Sequence, residues 1–296
     1  MLPTKETRVV QRVSNTLIGR LFTPQLDEAL PERSRRLFLE AFIYTLVAYF
    51  LAYLLRLPNS GFISIFLTSI SLGDRTRYLL IENRQNTYES DRTSWETNRL
   101  TAVSLLALFT GILSAYFIIA LTLGTPGILR EFGFAVDAAG LSQSDLLTRH
   151  FNSFKLIFNN NIVVLVCITM LAFVYQSYGA MLALGWNACV WAFAITVLTL
   201  QTIHSGTTAG PLKVLLSATC LLPHLILEGL AYITGALAAI FFSRAVSQYA
   251  PENARFKNAT RVCIILFGTA MAMVFVAAVL ESTLVPAILN HLRPAR

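Results

Sequence analysis

Charge is what this chain has least of. Only 13% of its 296 residues are Asp, Glu, Lys or Arg, while 55% are hydrophobic. Mean hydropathy is +0.61. A water-soluble domain carries about 25% charged residues, because its surface must face water. Half that share excludes an ordinary soluble enzyme or binding domain. Residues 156–212 contain no Lys, Arg, Asp or Glu at all. A helix needs about 20 apolar residues to cross the hydrocarbon core, so this stretch holds two crossings.

Paired cysteine is lacking as well. Cys167, Cys189, Cys220 and Cys263 each stand alone in an apolar run. That excludes a CxxC metal or redox motif and reads as small core side chains. The net charge is +7, yet no basic cluster with interleaved aromatics accompanies it, so nucleic acid is not an expected partner. Basic flanks on the cytoplasmic side of membrane spans account for the charge. A cleavable signal peptide is not expected, since the first apolar run begins near Leu37.

The apolar runs predict an all-α fold, a polytopic transmembrane helical bundle. Spans are expected at residues 37–55, 100–123, 162–178 and 186–203, within 214–243, and from 262 to about 286. Residues 61–72 are apolar but make a helix of only about 18 Å, either a tilted half of a helical hairpin with the first span or a re-entrant piece. The count is then about six full spans plus one short segment. Pro223 predicts a helix break inside 214–243, with a half-helix before it and a full crossing after it. Residues 73–100 mix five Arg with five acids and read as a solvated helix running into the next span. Phe151, Phe154 and Phe158 recur at helical spacing and predict an interfacial helix in the loop 124–161.

The positive-inside rule orients the layout. Residues 1–36, 73–99 and 244–261 carry seven, five and four Lys/Arg, against seven on the other side. The N-terminus is expected in the cytoplasm and the C-terminus outside.

Polar residues inside the spans are the candidate site. In this topology His204, His224, Glu228 and Glu281 gather near the outer side. His224 and Glu228 are four apart, hence on one helix face. Ionisable residues in a span usually face the bundle interior and have partners. Three readings stay open: a polar knot joining helices, a proton or ion site, and a hydrolytic metal centre. Against the last, the HExxH pattern is absent and spacing fixes no third ligand. Ala231, Gly235 and Ala239, and likewise Gly268 and Ala272, have the spacing that lets helices approach closely in lipid. Such stripes serve packing within one chain before they serve a seam between two copies. Asn187 opens its span, where it bonds another helix or caps its own.

The same polar residues carry a resemblance. The run LLPHLILEGLAYITGALAAIFFSRA (221–245) places Pro223, His224 and Glu228, and AAVLESTLVPAIL (277–289) places Glu281 and Pro286. The Asn-rich stretch before residue 162 and the later Trp-Asn pair place Asn160 and Asn187. In these three stretches the chain resembles the stage II sporulation protein M family over about residues 100–296. Leu225 and Ala188 depart from that family's glycines. The resemblance implies a five-span membrane domain at 100–296, preceded by a distinct N-terminal region, 1–99. It implies a membrane component that is not an enzyme and that anchors peptidoglycan-degrading partners.

The expected function is therefore a scaffold of the bacterial cell envelope in the inner (cytoplasmic) membrane. Its expected partners are the lipid bilayer and other membrane or envelope proteins, peptidoglycan hydrolases among them, with a second copy of the chain also open. No cofactor and no catalytic residue is expected. The alternative is a transporter, channel or lipid-handling protein that uses the His/Glu site beside a Pro-broken helix.

Overall fold

A computed structural model of the chain describes residues 30–57, 59–89, 94–138, 154–204, 219 and 222–292. Six helices make up this part, with no strand among the described residues. They are α1 (Leu30–Leu54), α2 (Ser60–Glu89), α3 (Ser94–Ala138), α4 (Phe154–His204), α5 (Leu222–Gln248) and α6 (Ala254–Leu292). Five of them, all but α2, are long and apolar enough to cross a membrane. The expectations for Phe151, Cys220 and the half-helix before Pro223 lie outside the described residues.

Side-chain pairings give the helix directions. Arg33 on α1 forms a two-pronged ion pair with Glu82 on α2, at 2.7 and 2.5 Å. Glu40 on α1 accepts from Arg75 on α2 at 2.8 Å. As the chain advances along α1 it retreats along α2, so the two are antiparallel. Asn83 donates to Thr101 and Ser64 meets Tyr116, which sets α3 antiparallel to α2. Phe242 lies beside Phe256, and His224 beside Glu281, so α5 and α6 are antiparallel as well.

The turn from α1 to α2 follows from its hydrogen bonds. Leu57 N–H donates to the Ala52 carbonyl and Arg56 N–H to Tyr53, with Arg56 at φ 51°. This Schellman motif ends the helix and reverses the chain. The helix that follows pairs with α1 as one half of the hairpin, but it is longer than expected. Residues 61–72 are not a separate short piece but the first half of α2, and residues 73–89 continue that same helix. Nor is the charged half simply solvated, because Arg75 and Glu82 are pinned to α1. The acids and bases that looked like a surface pattern are partly an interhelical clasp.

Two further reversals occur inside long helical stretches. Gly124, at φ 62° and ψ 174°, stands in a region that only glycine enters readily. After it, residues 125–138 fold back over the ends of the neighbouring helices. Ser60 donates to Glu131, Phe132 stacks on Phe193 with centroids 4.1 Å apart, and Phe134 lies 5.3 Å from Trp186. This part of the expected outer loop is therefore packed into the bundle.

The 51 residues of α4 would reach about 77 Å if straight. Instead the chain reverses at Gln176, at φ 52° and ψ −124°. The open Cα of Gly179 faces the Leu171 carbonyl so closely that a side chain there would collide with it. Residues 154–175 run parallel to α5, with Leu165 against Gly235 and Phe173 beside Phe242. Residues 177–204 run antiparallel to α2, with Tyr178 donating to Asp74 at 2.7 Å and Trp186 beside Phe62. The expected spans 162–178 and 186–203 are thus the two arms of one hairpin. Phe154 and Phe158, expected on an interfacial helix, begin the first arm and pack on Phe275 of α6.

Pro223 stands in the first turn of α5, which is the full crossing expected after it, while the half-helix expected before it lies outside the described residues. A proline there has no helical hydrogen bond to lose and its fixed φ suits the start of a helix. The small-residue stripes divide in two. Gly235 gives room to Leu165 inside the bundle, whereas Gly268 and Ala272 face outward.

The buried ion pair and the Gln176 turn each carry a measurable consequence. Arg33→Ala, which leaves Glu82 buried without its counter-charge, lowers stability by about 3–5 kcal/mol. The double variant Arg33→Leu with Glu82→Leu recovers most of that loss in unfolding measurements in detergent. Gln176→Gly relieves a left-handed residue and raises stability by about 1 kcal/mol.

Candidate functional site

Three helices supply the site, each by a stripe of buried residues. On α5 the buried face runs His224, Glu228, Tyr232 and Gly235, at the i, i+4 spacing that places side chains one above another. On the first arm of α4 it runs Ile157, Asn161, Leu165 and Ile168. On α6 it runs Ala270, Val274, Ala277, Ala278 and Glu281. The small alanines let α6 lie close to α5, which brings Glu281 to the level of His224.

The result is a polar cluster within one turn of helix. His224 and Glu228 are 4% exposed, Asn161 7% and Glu281 8%. Asn161 Nδ2 donates to Glu228 Oε1. His224 Nε2 faces Glu281 Oε2 at 3.8 Å, within ion-pair range but too long for a direct hydrogen bond. Glu228 lies one helical turn beyond His224 on the same buried face of α5, with Tyr232 a further turn along, so the two carboxyls share one buried cluster. Apolar walls close the far side. Trp191, on the second arm of α4, lies 3.5 Å from where a side chain on Gly229 would begin, and Phe109 of α3 stacks edge-on against Trp191.

Of the residues expected at the site, His224, Glu228 and Glu281 come together. His204 is the last residue of α4, and its side chain is outside the described residues. Asn187 is buried and donates to the Ala183 carbonyl of its own helix at 2.8 Å, a structural bond within one turn. Asn160, matched to the resemblance's Asn-rich stretch, is exposed, and it is its neighbour Asn161 that is buried in the cluster. The signal that separates them is periodicity. Asn161 falls on the apolar stripe Ile157–Leu165–Ile168, and Asn160 lies about 100° round the helix from it. Among the described residues no group of three or more His, Cys, Asp or Glu is placed to hold a metal ion.

With that geometry in view, comparison with known proteins adds nothing further. No protein-family model, no curated protein and no solved structure matches the chain.

The cluster is held by chemistry that neutral neighbours cannot replace. Asn161→Ala removes the amide that serves a buried carboxyl and lowers stability by about 2–3 kcal/mol. Asn160→Ala, on the exposed face, changes it by less than about 0.5 kcal/mol. Unfolding curves of the two variants in one detergent separate these outcomes.

Proposed function

We propose that this chain is a multi-pass scaffold of the bacterial inner membrane that organises envelope partners, in the manner of the stage II sporulation protein M family. One observation carries the reading. The three stretches on which the resemblance rests are more than 100 residues apart at their extremes, yet His224, Glu228, Glu281 and Asn161 beside Asn160 meet in one buried cluster. Residues that a family holds in common for a shared purpose are expected to converge in space. A polar knot joining α4, α5 and α6 suits a bundle that must hold one shape to present partners with a surface.

Helix directions and charge support the orientation. Among the described residues, counting the first half of α2 and both arms of α4 as one pass each gives seven, an odd number that favours a start of α1 and an end of α6 on opposite faces. Of fourteen Lys/Arg among the described residues, three lie at the face where α5 begins: Arg56, Arg130 and Lys155. The other eleven lie at the face where α1 begins. The basic face is the cytoplasmic one by the positive-inside rule. Partners, with peptidoglycan-remodelling enzymes as the class the resemblance implies, would meet the outer face.

Glu228→Gln and Glu281→Gln are expected to lower the amount of assembled chain in native membranes several-fold. Envelope partners co-purified with it should fall in proportion. The scaffold reading is overturned if both variants assemble and retain partners normally while an ion-driven flux in vesicles is abolished.

A further inference from the structure

The cluster has more negative than positive groups. It holds two carboxyls, while His224 is the one basic side chain within 4 Å of either among the described residues. Every wall facing the cluster bears on this balance. From the first arm of α4 it meets the neutral amide of Asn161, with Lys155 exposed six residues earlier. The second arm of α4 and α3 present Trp191 and Phe109. Tyr232 completes the α5 face. No guanidinium or ammonium enters from these elements among the described residues. Two unscreened negative charges in such a place are costly.

The two carboxyls are not equivalent. Glu228 has an amide donor in Asn161. Glu281 makes no direct hydrogen bond among the described residues, and neither does the imidazole of His224. Both residues are more than nine-tenths buried, and their side chains are aimed at each other across 3.8 Å. A charge-assisted N–H···O bond is about 2.8 Å long. The gap is about 1 Å wider than the bond these two groups would make around a proton.

We propose that His224 and Glu281 form a binding site for one proton, and that its occupancy sets how closely α6 is latched to α5. With the proton present, it lies between His224 Nε2 and Glu281 Oε2, and the pair is neutral as a whole. Glu228 then keeps its own donor in Asn161. Without the proton, Glu281 and Glu228 repel and the gap opens. The proton exchanges with water at the end of the bundle where α5 starts, only two residues before His224. A proton fits this pair better than an alkali cation, because imidazole nitrogen is a poor ligand for hard cations that prefer oxygen. This inference stands whether or not the chain anchors partners, so its failure and that of the scaffold reading are told apart.

The test is the unfolding midpoint of the full chain in neutral-lipid nanodiscs, from mildly acidic to mildly alkaline buffer. A proton held by the folded chain and released on unfolding makes stability fall as pH rises, by up to about tenfold in the folding equilibrium per pH unit. The wild type is expected to show that fall, and Glu281→Gln and His224→Gln to lose it. A wild-type profile as flat as theirs overturns the proposal. So does recovery of the alkaline midpoint by sodium or potassium, which would mean an alkali-cation site. Should the variants not fold, nitrogen NMR of the histidine-labelled wild type decides. One imidazole must change protonation together with the midpoint, and its absence overturns the proposal.

Discussion

Hydrocarbon offers no hydrogen bonds, and most of this structure follows from that constraint. A backbone or side-chain polar group left alone there costs several kcal/mol. The chain meets the constraint in three ways. Its backbone is helical nearly throughout among the described residues. Its hydroxyls turn back onto their own helices, as when Thr45 donates to Ala41, Ser104 to Leu100, Thr169 to Leu165 and Thr196 to Ala192. Its charges are paired across helices, Arg33 with Glu82 and Arg75 with Glu40. The His224–Glu281 pair, at 3.8 Å, is left short of a direct hydrogen bond by its spacing.

Turning points follow the same logic by different means. Where the chain reverses at Arg56, backbone donors close onto the last carbonyls of α1. Where it reverses at Gly124 and Gln176, a single residue leaves helical φ/ψ and the helix resumes at once. A reversal one residue long exposes few unpaired carbonyls. Asn253 performs the reciprocal service at the start of α6, where its side chain accepts from the Arg255 amide at 2.9 Å.

Much of this was legible in the sequence. Low charge and long apolar runs announced membrane helices. His224 and Glu228 at i, i+4 announced a shared face, and Glu281 stood out because a carboxyl in an apolar run needs a reason. What stayed hidden is local and three-dimensional. Pro223 stands in the first turn of α5, but a proline is a breaker or an ordinary first-turn residue according to where the helix starts, and that start is not written in composition. The charged run 73–89 looked solvated because its partners, Arg33 and Glu40, lie 35 to 49 residues away. Asn160 and Asn161 are chemically identical, and only the stripe of apolar neighbours tells which one turns inward. The reversal at Gln176 has no composition signal at all, since a left-handed glutamine is set by its surroundings.

The hairpin of α4 has a consequence for how the chain reaches its membrane. A span is usually oriented during synthesis by basic residues beside it. No Lys or Arg occurs from 156 to 212, so neither the turn at Gln176 nor the end of the second arm offers such a mark. The two arms are equally greasy and share no hydrophilic linker at which a nascent chain could pause. Their insertion is a single event, with Lys155 in the first turn of the pair and Lys213 behind it as the nearest Lys/Arg in sequence. The direction of everything downstream, α5 and α6 included, is then inherited from how that one unit enters the bilayer.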